Sequence, residues 1–151
     1  MTTISVAGLG YVGLSMAMLL GRHHEVRGLD LDADRIARLQ AGESPIHDAD
    51  ISRSLAEEKL DVTFTTDPDV AHVGAEFVVI ATPTNYDEVT NSFDTRSVEA
   101  VIKQVTRINP DATMVVKSTV PVGFIEDVRA RLGTADVIFS PEFLREGRAL
   151  H

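Results

Sequence analysis

The chain has 151 residues, 44% hydrophobic and 25% charged, an ordinary globular composition that argues against global disorder and suits one domain. Its 14 Lys and Arg against 23 Asp and Glu leave a net charge of −9, which argues against binding to nucleic acid or anionic membrane, so any phosphate ligand must be held locally. Cysteine is absent, which removes disulfides, thiolate metal sites and cysteine nucleophiles from these residues.

Ile4 to Gly21 carries no charge and is long enough for a membrane helix to be considered. Gly8, Gly10, Gly13 and Gly21 interrupt it, and only Met1-Thr2-Thr3 precede it, without the basic region of a signal peptide. The expectation is a cytoplasmic protein with no membrane segment. Within this stretch Ile4–Ala7 reads as a strand, followed by a glycine turn and a helix from Val12 to Leu20. Glu25–Asp30 is a second strand, and Asp32 caps a helix with Ile36 and Leu39 on one face. Ile51–Glu58 reads as helix and Val62–Thr65 as the third strand, after which Asp67-Pro68 opens another helix. Phe77–Ala81 is a fourth strand whose unbroken apolar run suits a central parallel position, and Thr82 to Asp94 reads as a loop. Val98, Val101, Ile102 and Val105 mark a helix, Met114–Val116 a fifth strand, Phe124–Leu132 a helix and Val137–Phe139 a sixth strand. Six strands alternating with helices predict an α/β Rossmann-type fold, a doubly wound six-stranded parallel sheet of order 3-2-1-4-5-6.

Gly8-Leu9-Gly10-Tyr11-Val12-Gly13 fits G-x-G-x-x-G at a strand-to-helix junction, where the three glycines serve a tight turn, close approach of a pyrophosphate, and helix–strand packing. Asp30 follows at the spacing of about 20 residues from which a carboxylate reaches the adenosine ribose, which favours NAD over NADP. Arg35 either offsets repulsion of a 2′-phosphate or lies on a solvated helix face. Ala81-Thr82-Pro83-Thr84-Asn85 and Lys117-Ser118-Thr119-Val120-Pro121 follow strands four and five, as ligand-binding edges or as ordinary turns. Glu142 and Glu146 lie one helical turn apart if their segment is helical, as a general base and its neighbour or as acids at a helix start. His23, His24, His47, His72 and His151 show no metal-ligand spacing, and His47-Asp48 with Asp50 reads as solvated loop, so no metal is expected.

Val6 to Leu14, Ala81 to Asp87, Lys117 to Gly123 and Ser140-Pro141-Glu142-Phe143-Leu144-Arg145-Glu146-Gly147, in this order, resemble the N-terminal domain of the UDP-glucose/GDP-mannose dehydrogenase family across essentially all 151 residues. That family oxidises the C6 alcohol of a nucleotide sugar to a carboxylate with two NAD, through a cysteine thiohemiacetal and a thioester. The resemblance implies NAD contacts from Gly8, Leu9, Gly10, Tyr11, Val12, Gly13, Asp30, Arg35, Thr82, Pro83, Thr84, Ser118, Thr119, Val120 and Glu146. It implies that Thr119, Glu142 and Glu146 are catalytic, Thr119 and Glu142 holding the hydrolytic water, and that Glu142, Phe143, Leu144, Arg145 and Glu146 bind substrate.

The family's central helix, nucleophilic cysteine and UDP-sugar-binding C-terminal domain would follow His151. Residues 1–151 are therefore expected to form a single NAD-binding Rossmann domain, truncated and catalytically incomplete. Tyr86-Asp87 favours UDP-glucose by resemblance. A sister enzyme acting on GDP-mannose or a UDP-N-acetylhexosamine, a stand-alone nucleotide-binding module, and homo-oligomerisation stay open.

Overall fold

The computed structural model describes residues 1–134, 136–143 and 150. In chain order they form β1 (Thr3–Ala7), α1 (Tyr11–Leu20), β2 (Glu25–Leu29), α2 (Ala33–Gln40), α3 (Ala49–Glu57), β3 (Val62–Thr65), α4 (Pro68–His72) and β4 (Phe77–Ile80). There follow β5 (Tyr86–Asp87), β6 (Ser92–Phe93), α5 (Arg96–Ile108), β7 (Thr113–Val116), α6 (Phe124–Leu132) and β8 (Val137–Phe139). Six strands make one sheet in the order β3-β2-β1-β4-β7-β8. Every pairing in it is parallel. The expected topology is thus present, with β7 and β8 as its fifth and sixth strands.

The pleat divides β1 between two cores. Ile4 and Val6 face a cluster with Leu14, Met18, Ile36 and Ile51, while Ala7 faces one with Ile80, Val98, Ile102 and Val128. Helices α1–α3 thus cover one face and α4–α6 the other, and the strand termini between them become the cavity edge. Polar side chains start the outer helices. Asp32 accepts from the Arg35 N–H, Asp48 from the Asp50 and Ile51 N–H groups, and Asp67 from the Asp69 N–H, with Pro68 in the first turn of α4.

Element ends shift by one or two residues from the sequence reading, and two differences bear on the cavity edge. The second strand ends at Leu29, and the Asp30 N–H makes the last ladder bond, to the Thr65 carbonyl at 3.3 Å. The span Thr82–Asp94 is not all loop: β5 and β6 pair antiparallel within it, Tyr86 opposite Phe93, with the rings edge to face at 5.1 Å. Asp87 accepts from the Val89 and Thr90 N–H groups, and Asn91 takes a positive φ of 51°, so the turn is built by two Asx-type residues. Two residues per strand is too short for alternation to show in the sequence.

A buried polar pair joins β1 to α4. Ser5 Oγ lies 2.9 Å from Nδ1 of His72, whose ring is wholly buried. Burial holds this imidazole below its ordinary pKa of 6.5, against the opposing pull of the Gln104 side chain and the Asp69 charge. The folded chain therefore resists a proton that the unfolded chain accepts. The stabilisation is complete above the unfolded value and is lost as pH falls below 6.5. Urea unfolding should give constant stability above neutrality and a decline below it of at most about 1.4 kcal/mol per pH unit, flattened in His72→Gln. An unchanged slope in that variant would place the titrating group elsewhere.

Candidate functional site

The glycine turn between β1 and α1 is fixed by what a side chain would strike. Gly8 takes φ +91°, and a Cβ there would sit 2.7 Å from the Ala81 carbonyl oxygen. A Cβ on Gly13 would sit 1.7 Å from the Gly8 carbonyl oxygen, so only glycine lets α1 close onto the turn. Gly10 differs from both: its φ is −74°, and a Cβ would meet nothing within 4 Å because it would project into the cavity.

That cavity, of about 650 Å³, runs along the carboxyl ends of the strands. Its size is that of a small-molecule site. Helix α1 begins at its floor with no acidic residue in the first turn and no side-chain cap. Each of α2 to α6 carries an acid in its first turn. The positive end of the α1 dipole is thus left for an anion, which supplies the local potential that the net charge of −9 denies to the chain as a whole.

Asp30 and Arg35 hold the turn from the β2 side. One Asp30 oxygen accepts the Leu9 N–H at 2.9 Å and the other accepts the Asp32 N–H at 2.9 Å. Arg35 Nη1 donates to the Leu9 carbonyl at 2.8 Å. The Leu9 peptide is therefore gripped at both its donor and its acceptor. Each carboxylate oxygen of Asp30 keeps a second lone pair for a ligand hydroxyl. Arg35 is half-buried on the cavity lining rather than on a solvated helix face, with one of its five N–H donors used on the Leu9 carbonyl.

The opposite wall comes from the ends of β4, β7 and β8. Ser97 Oγ donates to the Pro83 carbonyl at 2.7 Å, and Ser118 Oγ donates to the Thr82 carbonyl at 2.7 Å. The Thr82-Pro83 segment is thereby pinned from α5 and from the β7 end together. Thr84, Thr119 and Glu142 also line the cavity, Thr119 exposed and Glu142 half-buried.

Of the residues picked from sequence, Gly8, Leu9, Gly10, Tyr11, Val12, Asp30, Arg35, Thr82, Pro83, Thr84, Ser118, Thr119 and Glu142 meet at this one cavity. Gly13 lies beneath the turn, and Val120 packs against the core rather than on the lining. Phe143 is off the lining and 96% exposed. Glu142 and Phe143 are not helical, and Leu144, Arg145 and Glu146 lie outside the described residues. Sequence reasoning missed Lys117 as a lining side chain, and Ser97, Ala100 and Gln104 on α5. These three are small or polar at i, i+3 and i+7, a second stripe beside the apolar one. Among the described residues no cluster of His, Asp and Glu could hold a metal ion, and no helix is long and apolar enough to cross a membrane.

Comparison with known proteins agrees with this geometry. The profile of the UDP-glucose/GDP-mannose dehydrogenase family, NAD binding domain, matches residues 2–151. The chain belongs to this family. A UDP-glucose 6-dehydrogenase of Streptococcus pneumoniae is 47% identical over 148 residues, 98% of this chain and 38% of that protein. The UDP-glucose dehydrogenase structure from Pyrobaculum islandicum superposes with a TM-score of 0.86 at 36% identity, covering 99% of this chain and 38% of that one. A ternary complex of GDP-mannose dehydrogenase from Pseudomonas aeruginosa gives 0.85 at 28% identity, covering 97% and 37%. The chain thus spans under two-fifths of the length of these dehydrogenases, the part that is the family's NAD-binding domain.

Proposed function

We propose that residues 1–151 fold as one NAD-binding domain of a cytoplasmic UDP-glucose 6-dehydrogenase, the whole enzyme converting UDP-glucose and two NAD to UDP-glucuronate and two NADH. The observation that carries this reading is the open space over Gly10 at the uncapped start of α1, with Asp30 beside it. A pyrophosphate fits there against backbone N–H groups, and the free lone pairs of Asp30 fit the adenosine ribose hydroxyls. The adenosine half then lies over the β1–β3 ends and the nicotinamide half over β4, β7 and β8. When bound, NAD accepts one hydride at each oxidation.

The chain's own residues orient and exclude water. Thr82, Pro83 and Thr84, pinned by Ser97 and Ser118, form a rigid wall for the nicotinamide half. Thr119 and Glu142 border that end; Thr119 offers a hydroxyl to position the hydrolytic water, and the Glu142 carboxylate takes its proton. From the family's motif we carry over substrate binding to Phe143, Leu144, Arg145 and Glu146, and NAD binding to Glu146. The thiol that the family's covalent steps need is not among these residues. UDP-glucose is favoured over GDP-mannose because the 47%-identical relative is a UDP-glucose 6-dehydrogenase, against 28% identity to the GDP-mannose enzyme.

Calorimetric titration with NAD and with NADP tests the reading. Saturable NAD binding is expected, with NADP weaker by at least about tenfold because the Asp30 carboxylate repels a 2′-phosphate. A folded chain that binds neither nucleotide, or both equally, overturns it.

A further inference from the structure

Two cationic side chains stand on the described lining of the cavity, at opposite ends. Arg35, on the β2 side, donates through Nη1 to the Leu9 carbonyl. Lys117 stands at the carboxyl end of β7, half-buried. Its backbone N–H donates to the Ile80 carbonyl at 2.8 Å, which continues the β4–β7 ladder. Its Nζ donates to Ser140 Oγ at 2.9 Å, just beyond β8. The side chain is thus held at both ends between two neighbouring strand termini, and its charge has a fixed place. An untethered surface lysine spreads its charge over many rotamers in water.

The orientation proposed above, on which this inference rests, puts the nicotinamide half over these same strand ends. The oxidised nicotinamide ring carries one positive charge and the reduced ring carries none. The geometry points to Lys117 as the residue that sets the site's preference between the two oxidation states of the dinucleotide. Its ammonium disfavours the cationic ring relative to the neutral one, so the site holds NADH more tightly than NAD⁺ and makes the bound cofactor a stronger hydride acceptor. Glu142, on the same end of the lining, carries the opposing charge, and the tether to Ser140 keeps the ammonium from moving away from the ring. Lys117 is a positioning residue for charge; it needs no contact with substrate.

The test is calorimetric titration of the chain with NAD⁺ and NADH, alongside Lys117→Met, Lys117→Arg and Ser140→Ala. The measured quantity is the ratio of the two affinities, in which a general loosening of the cavity cancels. The parent should prefer NADH, and Lys117→Met should lower that preference about three- to tenfold, the effect of one partly screened unit charge. Lys117→Arg, which keeps the charge, should stay within about twofold of the parent, and Ser140→Ala, which frees the ammonium, should fall between. An unchanged ratio in a Lys117→Met chain that still binds both nucleotides overturns the inference. If thermal melting shows that Lys117→Met has lost the fold, an unchanged ratio in Ser140→Ala overturns it instead. A parent chain that binds neither nucleotide removes the cofactor reading, and this inference with it.

Discussion

Gly10→Ala is expected to fold as well as the parent and to lose NAD binding by about 100-fold or more, whereas Gly13→Ala is expected to lose about 3 kcal/mol or more of stability. The two glycines share one motif but are required for different reasons. Gly10 has φ −74°, a value any L-residue adopts, and no atom within 4 Å of where its Cβ would stand. A methyl group there costs nothing in the folded chain and removes freedom from the unfolded one, worth about 0.4–1 kcal/mol in favour of folding. The same methyl occupies the space through which a pyrophosphate reaches the first-turn N–H groups of α1. At Gly13 the Cβ would stand 1.7 Å from one backbone atom, Gly8 O, and 2.8 Å from another, Gly8 C, and neither can rotate away. Displacing the turn costs about 3 kcal/mol or more, a fall of roughly 10 °C in melting temperature for a domain of this size. Thermal melting and NAD titration of both variants separate the roles. Parent-like NAD affinity in Gly10→Ala would mean that the cofactor does not cross this turn.

This division explains why the glycine turn was legible in the sequence and much of the opposite wall was not. Much of the requirement is local: Gly8 takes a positive φ and Gly13 meets a carbonyl five residues back, at the strand-to-helix junction that the apolar pattern already marks, while the Ala81 contact of Gly8 comes from the neighbouring strand end. The unbroken run Phe77–Ile80 likewise announces a central strand through its own composition, and β4 sits between β1 and β7. The Lys117–Ser140 hydrogen bond spans 23 residues and exists only because β7 and β8 are neighbours. Ser97, Ala100 and Gln104 face the cavity because α5 packs on the sheet by its Val98, Val101, Ile102 and Val105 stripe and leaves the adjacent stripe turned to the strand ends. Arg35 could not be placed from sequence because its partner is a backbone carbonyl, which every residue supplies and no composition signals.

Asp30 combines a structural and a selective duty, and two substitutions take them apart. Asp30→Ala removes both acceptors, leaving the Leu9 and Asp32 N–H groups without them. The expected loss is about 1–3 kcal/mol of stability, together with a looser turn and NAD binding weaker by roughly tenfold or more. Asp30→Asn keeps one oxygen, which can accept from the Leu9 N–H, and turns its NH2 toward the exposed Asp32 N–H, so the stability loss should be smaller than in Asp30→Ala. It removes the negative charge, and with it the repulsion of a 2′-phosphate. The ratio of NAD to NADP affinity should therefore fall about tenfold in Asp30→Asn, with a smaller fall in melting temperature than Asp30→Ala shows. Full engagement of a 2′-phosphate by Arg35 would compete with its Nη1 bond to the Leu9 carbonyl, so discrimination should weaken without reversing. A reversal would show that Arg35 releases Leu9 when the opposing carboxylate charge is gone. An unchanged ratio would show that Asp30 buttresses the turn alone and that the ribose lies elsewhere.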